Sequence, residues 1–182
     1  MTANPENILF DRDVIERRVR ELADEISRDY RGKDLVIVAV LKGAFMFLSD
    51  LTRHLSVQAA VDFARLASYG SSTKSAGSVE IRKDIEIAVG GRDVLIVEDI
   101  IDTGSTISLF AEELRKRNPR SLRTCTLIDK KERREVDFTA DYVGFSLDKG
   151  FIVGYGLDYD EKYRCLPHIC LLDENNLPGE TS

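Results

Sequence analysis

The 182-residue chain has no tryptophan, two histidines, three cysteines and four prolines. Each shortage closes off a class of function. Cys125, Cys165 and Cys170 are odd in number and include no Cys-x-x-Cys spacing. Neither a disulfide framework nor a zinc ribbon is expected, and the three read as buried thiols of a reducing cytoplasm. His54 and His168 are too few and too isolated for a histidine metal cluster. Positive charge is also in deficit, with 26 Lys and Arg against 32 Asp and Glu and a net charge of -6. That balance argues against a broad basic face for nucleic acid, while leaving room for a local basic pocket that takes phosphates. No apolar run approaches the roughly 20 residues that span a bilayer. The segment MTANPENILF lacks a basic stretch followed by an apolar one, so no signal peptide is expected. The expectation is a soluble, cytoplasmic protein that engages neither nucleic acid nor membrane.

What is present is ordinary in bulk and particular in order. A hydrophobic fraction of 43% and a charged fraction of 32% suit one globular domain able to bury a core. Ile15, Val19, Leu22 and Ile26 recur at helical spacing, with Asp11 or Asp13 available as N-cap and Gly32 as a stop. Residues 35–40 (LVIVAV) form a short apolar run rich in branched side chains, the pattern of a strand buried on both faces of a parallel sheet. A helix is predicted over 44–55 and a strand over 57–66. Residues 68–78 (SYGSSTKSAGS) are a Ser/Gly-rich loop, and 79–87 alternate as a ribbon with one wet face. A second buried strand, 94–97, precedes a polar loop and a helix over 106–117, which Pro119 prevents from continuing. Strands follow at 122–128, 142–145, 151–155 and 169–172. The alternation predicts an α/β fold, one doubly wound sheet with a C-terminal cap.

The most informative segment is 94–106, VLIVEDIIDTGST. Ligands of open α/β sheets sit beyond the carboxyl ends of the strands. Here a buried strand leads into Glu98 and Asp99, and two apolar residues later comes Asp102-Thr103-Gly104-Ser105-Thr106. That second half suits a phosphate monoester. Gly104 admits close backbone approach, three hydroxyls can donate, and a helix start presents free N–H groups. The lysine of a Walker A loop and the spaced glycines of a dinucleotide fingerprint are both missing. Carboxylates beside a phosphate cradle need other work, either accepting from ribose hydroxyls or holding a divalent cation. A simple helix cap with a Gly-Ser turn explains Asp-Thr-Gly-Ser-Thr taken alone. It does not explain Glu-Asp at the end of a buried strand.

VEDIIDTGST resembles the phosphoribosyl pyrophosphate signature of the type I phosphoribosyltransferases. With LKGAFMFLSDL, ASYGSSTKSAGSVEI, LIDKKERR and VGYGLDYDEKYRCLPHI, in that order, the chain resembles the bacterial hypoxanthine-guanine phosphoribosyltransferase family. The resemblance implies a central, mostly parallel sheet flanked by helices, with a core over about residues 8–135 and a small C-terminal hood over about 136–182. It implies that Glu98 and Asp99 hold the ribose hydroxyls, that Asp102 lies near purine N7 as acid or base, and that Asp102, Thr103, Gly104, Ser105 and Thr106 cradle the 5-phosphate. Lys42 and Gly43 match the pyrophosphate loop, in which the peptide before the lysine is often cis, and Arg164 matches a pyrophosphate-binding arginine. Lys130 matches the lysine that donates to purine O6, Phe151 the aromatic that stacks on the base, and Ile152 the residue whose backbone meets the base edge. Lys131 is the local rival of Lys130.

Asp158 matches a carboxylate at the purine site that also holds the second of two magnesium ions, the first being shared by Glu98, Asp99, pyrophosphate and ribose. Ser68 and Tyr69 match a lid that closes over the reaction centre. Relatives usually form homodimers or homotetramers. One departure is local: Leu147-Asp148-Lys149-Gly150 precedes Phe151, where many relatives have Ile-Pro-Asp-Lys. Two other readings stay open, transfer to xanthine or another base, and a nucleotide-sensing regulator of RNA or DNA on the same scaffold.

Overall fold

Side-chain alternation along two apolar runs explains how the layers form. The computed structural model describes residues 7–67 and 80–172; Ser68, Tyr69 and the rest of the expected lid lie outside the described residues. The run at 35–40 becomes strand β2 (Leu35–Leu41), and the run at 94–97 becomes β5 (Asp93–Ile101). Successive side chains of a strand face opposite ways. Leu35, Ile37 and Ala39 of β2, with Leu95 and Val97 of β5, therefore enter one core cluster, together with helices α1 (Arg12–Asp29) and α2 (Phe45–His54). Val36, Val38, Val94 and Ile96 enter the other, under α3 (Ser105–Arg115). All nine of these strand residues are fully or almost fully buried, as strands covered on both faces must be.

The remaining elements are β1 (Ile8–Phe10), β3 (Ala59–Ala67), β4 (Glu80–Lys83), β6 (Ser121–Lys130), β7 (Tyr142–Leu147), β8 (Phe151–Val153) and β9 (Ile169–Leu172). Among the described residues the larger sheet has the order β4-β3-β2-β5-β6-β7, parallel throughout except for the antiparallel edge strand β4. From β2 the chain moves outward to β3, then returns to β5 on the other side of β2. The order therefore reverses between β2 and β5, and the crevice for a ligand opens at their carboxyl ends.

The second sheet is antiparallel, of order β1-β9-β8, and forms the hood. The sheets divide the chain differently from the expected split at about residue 135. β7 completes the larger sheet by pairing with β6, and the hood recruits β1 from the start of the chain. The ribbon expected over 79–87 is shorter, ending at Lys83. The N–H groups of Glu86 and Ile87 donate to the Asp62 carboxylate, at 2.6 and 2.8 Å, instead of to a neighbouring strand. At the start of α1 the cap is Asp11, whose carboxylate accepts the Val14 N–H at 2.8 Å; Asp13 lies in the first turn. No helix among the described residues is long and apolar enough to cross a membrane.

Candidate active site

Glu98 and Asp99 lie within β5 rather than in a loop after it. The strand continues to Ile101, with Ile100 opposite Ile128 and Ile101 opposite Asp129 of β6. Extended backbone thus carries two acids into the switch-point crevice. A Cβ at Gly43 would fall 1.5 Å from Asp99 Oδ2, and one at Gly156 would fall 2.1 Å from the Gly43 carbonyl oxygen. A larger residue at Gly43 would displace the Asp99 carboxylate, and one at Gly156 would push the hood off the turn after β2. The Leu41–Lys42 peptide is cis, as the resemblance implies.

Glu98 is buried, and among the described residues neither acid forms an ion pair. Glu98 Oε1 accepts the Asp99 N–H at 3.2 Å, and Asp99 Oδ1 accepts the Ile100 N–H at 2.9 Å. Burial, and then the neighbouring Asp99 charge, pushes the Glu98 carboxyl well above the usual range. Burial raises Asp99 as well. Such a pair favours hydroxyl donors or a cation.

Next along the chain, Gly104 takes φ +82 and stands at the N-cap of α3 with no side-chain cap hydrogen bond. A Cβ there would press on Val136 and Arg134, at 3.0 and 3.2 Å. The aspartate-cap alternative is therefore not what this turn does. Ser105 N donates to Thr103 Oγ1 at 3.3 Å, and Ser105 Oγ donates to Glu135 at 3.2 Å. The front of the helix presents N–H groups and hydroxyls, the donor set an anion takes.

Across from this turn, Lys130 is the last residue of β6 rather than a residue beyond it. It is buried, whereas its rival Lys131 is exposed. Lys130 Nζ lies 3.9 Å from Asp102 Oδ1 and 3.4 Å from Glu132. Asp102 Oδ1 is itself buried and accepts no hydrogen bond. Asp102 Oδ2 lies 3.5 Å from Arg133.

The hood brings the remaining residues. Phe151 is half-buried and meets Tyr159 edge-on at 5.6 Å, while the Ile152 side chain belongs to the core. Ile152 therefore has only its backbone to offer a ligand. Asp158 is engaged, pairing with Arg164 at 2.8 Å and accepting the Glu161 N–H at 2.9 Å. Glu161 binds Lys42 at 2.8 Å and Arg164 at 3.3 Å. The Lys42 hydrogen bond leads the causes that hold its carboxyl below the usual range. One glutamate thus joins Lys42 and Arg164, the two cations that the family resemblance links to pyrophosphate.

No group of three or more His, Cys, Asp or Glu among the described residues is arranged to hold a metal. Magnesium commonly takes one or two carboxylates and fills its shell with water and substrate phosphates. Buried Glu98 and half-buried Asp99, which repel each other, fit that mode.

The profile of the phosphoribosyl transferase domain family matches residues 7–160. The chain belongs to this family. Over 173 residues it is 46% identical to a hypoxanthine-guanine phosphoribosyltransferase of Mycobacterium tuberculosis, covering 92% of this chain and 86% of that one. A Bacillus subtilis enzyme of the same name is 44% identical over 167 residues, covering 92% and 93%. The crystal structure of a Bacillus anthracis hypoxanthine-guanine phosphoribosyltransferase superposes with a TM-score of 0.88 at 44% identity, covering 92% and 98%. A Trypanosoma cruzi hypoxanthine phosphoribosyltransferase in a ternary substrates complex gives 0.89 at 40% identity, covering 93% and 96%. The fold is thus that of the type I phosphoribosyltransferases, with a mostly parallel central sheet.

Within this phosphoribosyltransferase fold, the residues that sequence reasoning singles out at the crevice are Glu98, Asp99, the turn from Asp102 to Thr106, and Lys130. The same reasoning misses Glu161, Glu132, Glu135 and Arg134, all acting through contacts made only by folding. Nothing in DKKERREVD distinguishes Arg134 from Arg133, for example. Only a loop that turns back on itself does.

Proposed function

We propose that this chain transfers the 5-phosphoribosyl group from phosphoribosyl pyrophosphate to N9 of hypoxanthine or guanine, giving IMP or GMP and pyrophosphate in purine salvage. The observation that carries the reading is the meeting of three features at one crevice. They are buried Glu98 with half-buried Asp99 beside it, the α3 start opened by Gly104, and Lys130 facing Asp102 at 3.9 Å.

Attack by N9 on the anomeric carbon breaks the bond to pyrophosphate through an oxocarbenium-like state. Glu98 and Asp99 accept from the ribose hydroxyls and stabilise the developing positive charge, since oriented charges act strongly where water is excluded. The Thr103, Ser105 and Thr106 hydroxyls and the α3 N–H groups hold the 5-phosphate. Asp102 takes or returns the proton at purine N7. Lys130 donates to O6, present in hypoxanthine and guanine and replaced by an amino group in adenine. A buried ammonium left without its acceptor penalises the wrong base. Phe151 stacks on the purine, and the Ile152 backbone and Asp158 meet its far edge.

Lys42, Gly43 and Arg164 receive pyrophosphate, the arginine through its planar fork of donors. Two magnesium ions are expected, on Glu98 and Asp99 and on Asp158, where they would neutralise the pyrophosphate. Ser68 and Tyr69 belong to a lid that keeps water from the activated sugar. The enzyme works in the cytoplasm as a homodimer or homotetramer, with no nucleic-acid or membrane partner.

A panel of hypoxanthine, guanine, xanthine, adenine and uracil, each with phosphoribosyl pyrophosphate and magnesium, tests the reading. Nucleotide from hypoxanthine and guanine, with little from adenine or uracil, is expected. Xanthine as the preferred base would move the specificity. Tight sugar binding with no product from any base would favour the nucleotide-sensing regulator.

A further inference from the structure

We infer that Arg134 is a positioning residue of the transfer reaction, setting the gap between Asp102 and Lys130 by tying together the ends of β5 and β6. The inference rests on the roles proposed above for those two residues. Pairing between the strands reaches Ile101 and Asp129 and goes no further in register. Beyond that point the carbonyls need donors from elsewhere, and Arg134 supplies them. Its Nε donates to the Asp102 carbonyl at 3.0 Å, and its Nη2 to the carbonyls of Ile101 and Lys130, each at 3.2 Å. Nη2 also pairs with the Asp129 carboxylate, and Nη1 donates to the Phe138 carbonyl. Four of the five acceptors belong to Asp102, Lys130 or the residues immediately before them.

The stem of the same side chain lies against Gly104, its Cδ 3.2 Å from where a Cβ would stand. One side chain therefore braces the acid/base, the purine-facing lysine and the phosphate turn. Lys130 and Asp102 carry opposite charges, yet they stand 3.9 Å apart instead of closing into a hydrogen bond. A 6-oxopurine presents O6 and N7 on adjacent atoms of one edge, and the groups serving them must straddle that edge. Arg134 grips the backbone of both residues and so holds the gap. A planar fork with five donors can bridge two strands at once; an ammonium on a flexible stem cannot.

The test compares Arg134→Ala, Arg134→Lys and Asp102→Asn by steady-state kinetics, thermal unfolding and phosphoribosyl pyrophosphate calorimetry with magnesium. Misplacement of a reacting group by about 1 Å costs roughly 100-fold, and a fall in kcat of that size is expected for Arg134→Ala. Lysine should restore little of it. Methylguanidinium added to the alanine variant should recover turnover at least tenfold, which a general loss of stability would not allow. A kcat within threefold of wild type in Arg134→Ala overturns the inference, as does full recovery by lysine. Loss matched to the unfolded fraction, with no response to methylguanidinium, overturns it too. If the alanine variant does not fold, Arg134→Lys decides: a folded protein slowed tenfold or more supports positioning, and one with wild-type kcat refutes it. Asp102→Asn separates the two levels. If it turns over normally, the proposed site roles fail. If it is slow while the Arg134 variants are fast, only the positioning role fails.

Discussion

Asp62 on β3 and the Glu98–Asp99 pair on β5 are acids carried by neighbouring parts of one sheet, yet the chain treats them in opposite ways. Asp62 is 7% exposed, and its carboxylate accepts the N–H groups of Phe63, Glu86 and Ile87 at 2.6 to 2.8 Å, with Lys83 at 3.7 Å. Burial opposes its ionisation, but the three N–H donors outweigh burial and hold the carboxyl below the usual range. Glu98 is 9% exposed, accepts one N–H at 3.2 Å and is pushed the other way. A buried charge satisfied by its own chain belongs to the scaffold. One left short of donors belongs to a ligand.

The largest expected effect separates chemistry from scaffold. Asp102→Asn should lower kcat by roughly 100-fold or more, the worth of a positioned acid or base, with sugar-phosphate binding nearly kept. Equal loss of both would contradict its role. Lys130→Ala should come next, cutting the hypoxanthine-to-adenine preference roughly 10- to 100-fold, the value of a hydrogen bond to a charged group. An unchanged preference would refute the assignment.

Asp62→Ala should leave kcat within twofold, yet destabilise the protein by about 2 kcal/mol, because buried N–H groups lose their acceptor. Denaturant unfolding measures this. A carboxyl held below its unfolded value stabilises the fold above the ordinary aspartate range, and that contribution fades as pH falls. The gap between wild type and variant should therefore shrink in acid. Smallest is the converse at β5. Glu98→Gln should raise the stability of the ligand-free protein by about 1 kcal/mol, by removing a buried acid that the neighbouring Asp99 charge repels, while weakening binding of the sugar substrate. A destabilised Glu98→Gln would place Glu98 with Asp62, and the distinction would fall.

Much of this was legible in the sequence because it is local. Continuous runs of branched apolar residues marked β2 and β5, and the acid pair with Gly104 marked the crevice edge. The end of β5 was not legible, since Glu98 and Asp99 look like a loop until β6 pairs alongside through Ile101 and Asp129. Nor was the sheet membership of β7, whose Tyr142–Leu147 segment is an edge strand of mixed burial. β1 is three residues long and has no partner until β9, over 150 positions later, folds beside it. Glu161 and Arg134 are ordinary charged residues in charged stretches. Only tertiary folding brings Glu161 to Lys42, and Arg134 to Ile101 and Asp102.

The crystal structure of the protein with phosphoribosyl pyrophosphate and magnesium tests the central claim most directly. The expected result puts the ribose hydroxyls within hydrogen-bonding distance of Glu98 and Asp99, with the 5-phosphate on the turn from Asp102 to Thr106. Full occupancy of the sugar phosphate anywhere else, with those carboxylates out of its reach, would contradict it.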